Sequence, residues 1–304
     1  MNYYHPYQYG AILGCPMRTD YHFHPNLNER RPAKKLKAIW NAFEEHHLDA
    51  VVCAEHAFKD PAFAYRQVVK SKPKHMRTHV FPGAELVTGD GRAGVDVIAF
   101  AEHDWYDEHP RLLEPFTMNL KEMIGYLEAS NLHWFIAHPT IMRTPLLSLY
   151  PTQEAMQEFL ATVPAFEARN GTHLLIEYHC TNPFIRPFLR RVRDHLRASA
   201  EPTLDLYYKD GVHRFLAVGS DAHSPKDVGY SVEIPGKAQS RRHALELMTS
   251  NTNIQTIYLP NFNHSVRRLF HLGMTGLHES QMRRAGFRRS DAEESALVTA
   301  EEGA

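Results

Sequence analysis

The chain lacks the features that mark several large protein classes. It has three cysteines in 304 residues, Cys15, Cys53 and Cys180. They are too few and too scattered for a disulfide framework, which suits a reducing compartment and gives the expectation of a cytoplasmic protein. They also form none of the close pairs of a zinc finger. No apolar run approaches the roughly 18 residues of a membrane-spanning helix. The segment 1–10 is rich in Tyr and has no basic stretch followed by an apolar one, so it does not read as a secretory signal. No membrane partner is expected. The formal net charge is −1, too small to set up an overall field for nucleic acid or a lipid surface. No repeat recurs at a period of about 20–50 residues, and no linker interrupts the chain. The expectation is one domain over 1–289, its C-terminal helices included, followed by a small-residue, acidic and disordered tail at 290–304.

What is abundant is histidine. The chain has 21, against 16 Gly and 19 Pro, and histidine is the commonest metal ligand. Otherwise, 43% hydrophobic and 23% charged residues describe an ordinary globular chain, long enough to bury a large core.

The histidines are not scattered at random. Short apolar runs at 15–24, 50–54, 80–87, 95–101, 132–137, 172–176, 215–219 and 254–259 read as strands. Amphipathic or helix-favouring segments at 32–47, 60–69, 120–129, 153–163, 187–198, 241–249 and 264–272 read as helices between them. In 32–47 the apolar residues Leu36, Ile39, Trp40 and Phe43 recur at three- and four-residue steps, with Leu48 just beyond on the same side. Alternation of this kind predicts a parallel sheet with crossover helices. The predicted strands end in chemistry-bearing residues: His22 and His24, His56, Glu85, His103, His138, Glu177, then Asp221 and His223. An open sheet would spread these ends over more than about 20 Å, because strands lie about 4.8 Å apart. A sheet that closes on itself brings them together at one mouth, so an α/β barrel is expected.

Imidazole and carboxylate oxygen together suit Zn²⁺, Mn²⁺ or Fe²⁺. His22 and His24, one residue apart on a strand, share a face. A carboxylate such as Glu85 can bridge two ions, which lower the pKa of a bridging water to give hydroxide and bind phosphoryl oxygens. Hydrolysis of a phosphate ester is the expected reaction, with His56, His223 and Asp221 as candidates for proton transfer. The phosphate needs cations besides the metals, and Arg143 and Arg186 follow two of the predicted strands. Lys70, Lys72, Lys74 and Arg77 could line a substrate entrance. Arg190, Arg191, Arg193 and Arg197 could do the same for a longer anion, although a solvated helix face is the plainer reading. The pairs at 267–268, 283–284 and 288–289 read as surface. Glu177, with His179 and Asn182 near it, is placed to support ligands from behind.

Five segments together resemble the polymerase-and-histidinol-phosphatase (PHP) family: Asp20-Tyr-His-Phe-His24, Ala54-Glu-His56, Pro82-Gly-Ala-Glu85, Ala137-His-Pro139 and Gly219-Ser-Asp-Ala-His223. They occur in the family's order and span 18–230. The resemblance implies a distorted seven-stranded (β/α) barrel and two or three divalent ions of Zn, Mn or Fe. It implies that His22, His24 and Asp221 hold one ion and that Glu85 bridges it to a second ion held by His103 and His138. His56 and His223 would serve a third position. One departure is visible: a further His that the family carries soon after the first pair has no counterpart in 26–31. The amidohydrolases also begin with His-x-His, but a Glu at the bridging stage and an Asp followed two residues later by His favour the PHP pattern. The expected substrate is a small phosphomonoester, with a nucleic-acid end as the alternative. A PHP module that has lost activity and serves as a scaffold is a third reading. Oligomeric state is left open.

Overall fold

The structure is a computed structural model that describes residues 16–27, 32–90, 94–139, 146, 149–181, 211–252, 257–258 and 281–282. Arg143, Arg186, Asn182, the basic segment at 190–197, the helix expected at 264–272 and the tail lie outside these residues. The strands are β1 (Met17–Phe23), β2 (Ala50–His56), β3 (His79–Val87), β4 (Asp96–Phe100), β5 (His133–Ile136), β6 (Ala165–Asn170), β7 (Phe215–Gly219), β8 (Ser231–Ile234) and β9 (Ile257–Tyr258). The helices are α1 (Pro32–Glu45), α2 (Pro61–Lys70), α3 (Leu120–Ala129), α4 (Gln153–Leu160), α5 (Gly171–Thr181) and α6 (Arg241–Thr249).

Among the described residues, nine strands form one sheet in the order β7-β6-β5-β4-β3-β2-β1-β8-β9. The first seven curl until the ends meet. Phe23 bridges Ala222 just beyond β7, His24 N donates to Ala222 O, and Asp221 N donates to His22 O. At its other end β1 pairs antiparallel with β8, Met17 opposite Ile234, so the barrel is closed at one mouth and split at the other. This is the distorted α/β barrel expected from the sequence.

Side chains alternate across each strand, as the pleat requires. Val52 and Ala54, Phe81, Ile98 and Phe100, and Phe135 belong to the interior cluster. Val51 and Cys53, Val80, Val97 and Ala99, and Trp134 and Ile136 pack outward beneath the helices. Inside, the rings of Tyr21, Phe100, Phe135 and Phe215 lie with centroids 6.0–6.5 Å apart, mostly edge to face, a favoured arrangement for aromatic quadrupoles. Outside, α1 buries Leu36, Ile39, Trp40 and Phe43, each worth roughly 1.5–3 kcal/mol of transfer free energy. Turn chemistry sets the helix starts. Asp60 accepts from Phe63 N at the head of α2, and Asn119 with Glu122 forms a reciprocal capping box on α3.

Three departures from the sequence expectation bear on the site. First, β4 runs antiparallel to both β3 and β5, so not every strand is parallel. Second, the sixth strand is Ala165–Asn170, and the stretch expected as a strand at 172–176 lies within α5. Gly171 marks the change, since a Cβ there would sit 2.6 Å from Ser220 O. Third, β8 was not anticipated.

Candidate metal centre

The carboxyl ends of the parallel strands carry a dense cluster of ionisable groups. Glu55, Glu85, Glu167 and Asp221, with Asp96 from β4, are buried carboxylates around the buried imidazoles of His22, His24, His56 and His223 and the nearly buried one of His138. Burying so many such groups is tolerable only if they are paired or hold ions. Their donor atoms fall into three compact groups, each within 4.8 Å: His24, His56 and His223; His22, His24 and Asp221; and His22, Glu85 and His138. The structure therefore brings together seven of the eight residues that the sequence singled out as metal ligands.

His22 near the end of β1 and His24 just beyond it flank Phe23 and have their Nε2 atoms 2.8 Å apart. Glu167 Oε1 lies 3.2 Å from His22 Nδ1, which assigns the ring proton to Nδ1 and leaves the Nε2 lone pair for an ion. The other Glu167 oxygen accepts from His138 N at 2.8 Å and from Asn170 Nδ2 at 3.0 Å. One carboxylate on β6 thus orients histidines from β1 and β5. His223 Nδ1 lies 3.0 Å from Asp221 O, so its Nε2 is turned toward His56 Nε2, 3.3 Å away. His56 Nδ1 lies 2.5 Å from Glu85 Oε2, and the other Glu85 oxygen lies 3.1 Å from His138 Nε2. Asp221 Oδ1 lies 3.4 Å from His24 Nε2 and 3.7 Å from His22 Nε2.

The backbone beneath is tied down with equal care. Asp20 is fully buried and accepts from His22 N, Ser220 N and Ser220 Oγ at 3.0, 2.9 and 2.5 Å, which fixes the β1 end to the β7 end. Gly219 lets these ends touch: a Cβ there would lie 2.2 Å from His22 Cβ and 2.7 Å from Glu167 Oε1. Asp221 and His138 both have positive φ, 49° and 28°, an uncommon and strained conformation for residues other than glycine.

The electrostatics follow from this crowding. Burial alone would keep His22 neutral, but Glu167, Asp221 and Glu85 outweigh it and raise its pKa to about 9. His138 is likewise opposed by burial and pushed up to about 10 by Glu85, Asp96 and Asp221. His24 is lowered by burial and by the charges of His223 and His56. Burial would raise Glu55, yet its hydrogen bond to His24 and the nearby imidazoles bring it to about 2. Asp221 resists burial in the same way and falls below the usual carboxylate range, chiefly through His22 and His24. Burial raises Asp20 to about 7 against the pull of its Ser220 hydrogen bonds.

The donor set fits divalent ions. The imidazole Nε2 atoms and carboxylate oxygens converge on a common space, and mixed N/O donors of this kind suit Zn, Mn or Fe. Each Nε2 lone pair serves one ion. The groups His24/His56/His223 and His22/Glu85/His138 share no residue, so both can be satisfied at once.

His103 is the exception. Its side chain is 82% exposed and lies 3.8 Å from Glu102. Because β4 is antiparallel, its carboxyl end leads away from the mouth that holds the other ligands. The basic segment 70–77 is also at the far mouth, since it runs into the amino end of β3. There Arg241 stacks on Phe81 at 4.7 Å and donates to Glu102 O. His75 pairs with Glu44 on the surface, and His79 opens β3. Sequence reasoning missed Glu167, Asp96 and the part played by Asp20. The Glu177 side chain, expected as a supporting carboxylate, lies outside the described residues; Glu167 is the carboxylate seen against His22 and His138, and its charge breaks up the apolar run of β6.

No family profile matches the chain, and no curated protein matches it. Among solved structures, PsfC from Pseudomonas syringae is similar with a TM-score of 0.49 and 16% identity, covering 87% of this chain and 100% of that one. A "putative metal-dependent phosphoesterase" from Bifidobacterium adolescentis is similar with a TM-score of 0.40 and 11% identity, covering 78% of this chain and 97% of that one. At these scores neither likeness bears on activity, and the reading of the site rests on its own geometry.

Proposed function

We propose that the chain is a divalent-metal-dependent phosphoesterase of the PHP type that hydrolyses a small phosphomonoester. The observation that carries this reading is the convergence of His22, His24, His56, Glu85, His138, Asp221 and His223 at one barrel mouth. In this reading two ions are held, one by His24, His56 and His223 and one by His22, Glu85 and His138. Asp221 stands between them, near both His22 and His24. Ions bound there would lower the pKa of a water and neutralise charge on phosphoryl oxygens.

The chain's own residues do the rest. Glu167 and the Asp221 carbonyl hold two imidazoles in the tautomer that presents Nε2. The Asp20–Ser220 tie keeps the ligands of β1 and β7 in register, so no reorganisation is needed as charge develops. Arg143 and Arg186 remain the candidates for gripping the phosphate. Among the described residues, the basic segment 70–77 lies at the opposite mouth, where it cannot guide a polymer into the site, and this favours the small substrate over a nucleic acid.

The test is direct. Purified protein is stripped, reloaded with Zn²⁺, Mn²⁺ or Fe²⁺, and assayed for phosphate release from a panel of small phosphomonoesters. His22→Ala and Asp221→Ala should lose bound metal and activity together. Shortening of oligonucleotides without phosphomonoester hydrolysis would move the assignment to a nuclease. Protein that cannot be loaded with any of the three metals would reject the enzyme reading and favour a scaffold.

A further inference from the structure

The reversal of β4 places a carboxylate where a parallel strand would have put a histidine. Asp96 is the first residue of β4, so the antiparallel direction brings this end, rather than the end near His103, to the site mouth. Asp96 lies on the same strand face as Ile98 and Phe100, which point into the barrel. In the β3–β4 register Glu85 pairs with Ile98 and Val87 pairs with Asp96. Glu85 and Asp96 are therefore diagonal neighbours on the interior face, a spacing that side chains can span. Asp96 is 6% exposed, and its Oδ2 lies 3.8 Å from His138 Nε2, the same nitrogen that faces Glu85 Oε1 at 3.1 Å.

We propose that Asp96, not His103, completes the ion position formed by His22, Glu85 and His138, and that the centre therefore offers two chemically unequal positions. One has three imidazoles, from His24, His56 and His223. The other has two imidazoles and two carboxylates. Nitrogen-rich sets favour Zn²⁺, whereas carboxylate-rich sets favour harder ions such as Mn²⁺. The Asp96 position is accordingly the one that takes Mn²⁺ when both metals are offered. This inference rests on the metal-centre reading above.

The experiment uses full-length stripped protein titrated with Mn²⁺ and with Zn²⁺ against a competing chelator, with bound metal counted by elemental analysis. Asp96→Asn should weaken Mn²⁺ binding at one position by at least about tenfold, the scale seen when a supporting contact to a metal is lost. Its Zn²⁺ uptake by the three-imidazole position should be unchanged. His103→Ala, a change at an exposed side chain, should leave both titrations as in the wild type. Electron-spin spectroscopy of Mn²⁺ in the unmutated protein gives an independent count, expected to be two imidazole nitrogens and unaltered by His103→Ala. That count decides the matter should Asp96→Asn fail to fold. Wild-type Mn²⁺ affinity in folded Asp96→Asn, or loss of a nitrogen coupling in His103→Ala, would overturn the proposal. His22→Ala separates the two levels: if it too binds both metals like the wild type, the metal centre itself is misassigned.

Discussion

Glu167→Gln is the most incisive perturbation of this site, because it keeps the shape of the side chain and changes only its donors and acceptors. In the native chain the two Glu167 oxygens face three donors: His22 Nδ1 at 3.2 Å, His138 N at 2.8 Å and Asn170 Nδ2 at 3.0 Å. A glutamine has one acceptor oxygen and a donor NH₂. If the NH₂ faces His138 N, two donors oppose each other in a buried place, and one unsatisfied group costs about 1–3 kcal/mol. If it faces His22, it meets the Nδ1–H of a ring that is protonated without metal, again donor against donor. When the ring gives up one proton to bind an ion, the amide favours keeping the other on Nε2, and the ligand is withdrawn from the ion. Either way the metal-free protein should lose about 1–3 kcal/mol of stability, measured by urea unfolding. The affinity of the ion position near His22 should fall by about 10–100-fold, measured by chelator competition. A variant whose unfolding midpoint and metal affinity both equal those of the wild type would refute the claim that this carboxylate orients the two histidines.

Three further outcomes are expected. Gly219→Ala must push β1 from β7, since the added methyl would lie 2.2 Å from His22 Cβ; overpacking of this kind costs about 1–3 kcal/mol or more, and chemical unfolding together with metal content should both register it. Asp20→Ala leaves two buried backbone donors, His22 N and Ser220 N, without their acceptor and Ser220 Oγ with only the His22 carbonyl, at about 1–3 kcal/mol for each donor that finds no water, so the variant should unfold at clearly lower urea and retain less metal. Finally, the raised pKa values of His22 and His138, about 9 and 10, mean that both are protonated in the metal-free protein at pH 7. Their contribution to its stability is full below the unfolded histidine pKa of about 6.5 and is lost as pH rises through 9 to 10. Because an ion needs both rings deprotonated, loading at pH 7 should release about two protons per chain, read with an indicator dye in weak buffer, and affinity should climb as pH is raised from 6 to 8. Loading without proton release would contradict this account.

Much of the histidine cluster is legible in the sequence. His22 and His24 announce themselves because a strand's two-residue period puts alternate side chains on one face. His56, Glu85, His138, Asp221 and His223 each follow or close an apolar run, and hydrophobic burial of these runs forces their polar ends to a common surface. The alternation of strand and helix was enough for a barrel, since a closed sheet is what lets so many strand ends meet. These are local patterns, readable along the chain because the pleat and the helix each have a fixed period.

Strand direction has no such period. Nothing within Asp96–Phe100 distinguishes a parallel from an antiparallel partner, so only the hydrogen-bonded register with β3 and β5 turns Asp96 toward His138 and His103 toward solvent. The choice between Glu167 and Glu177 was likewise tertiary. The run at 172–176 has the better strand composition, yet the close approach of Gly171 to Ser220 and the pairing of β6 with β7 place the strand one segment earlier. Sequence thus marked seven of the side chains that converge at one mouth. The sheet determined which of them face one another, because pairing energy is settled between segments far apart in the chain and leaves no mark on either one alone.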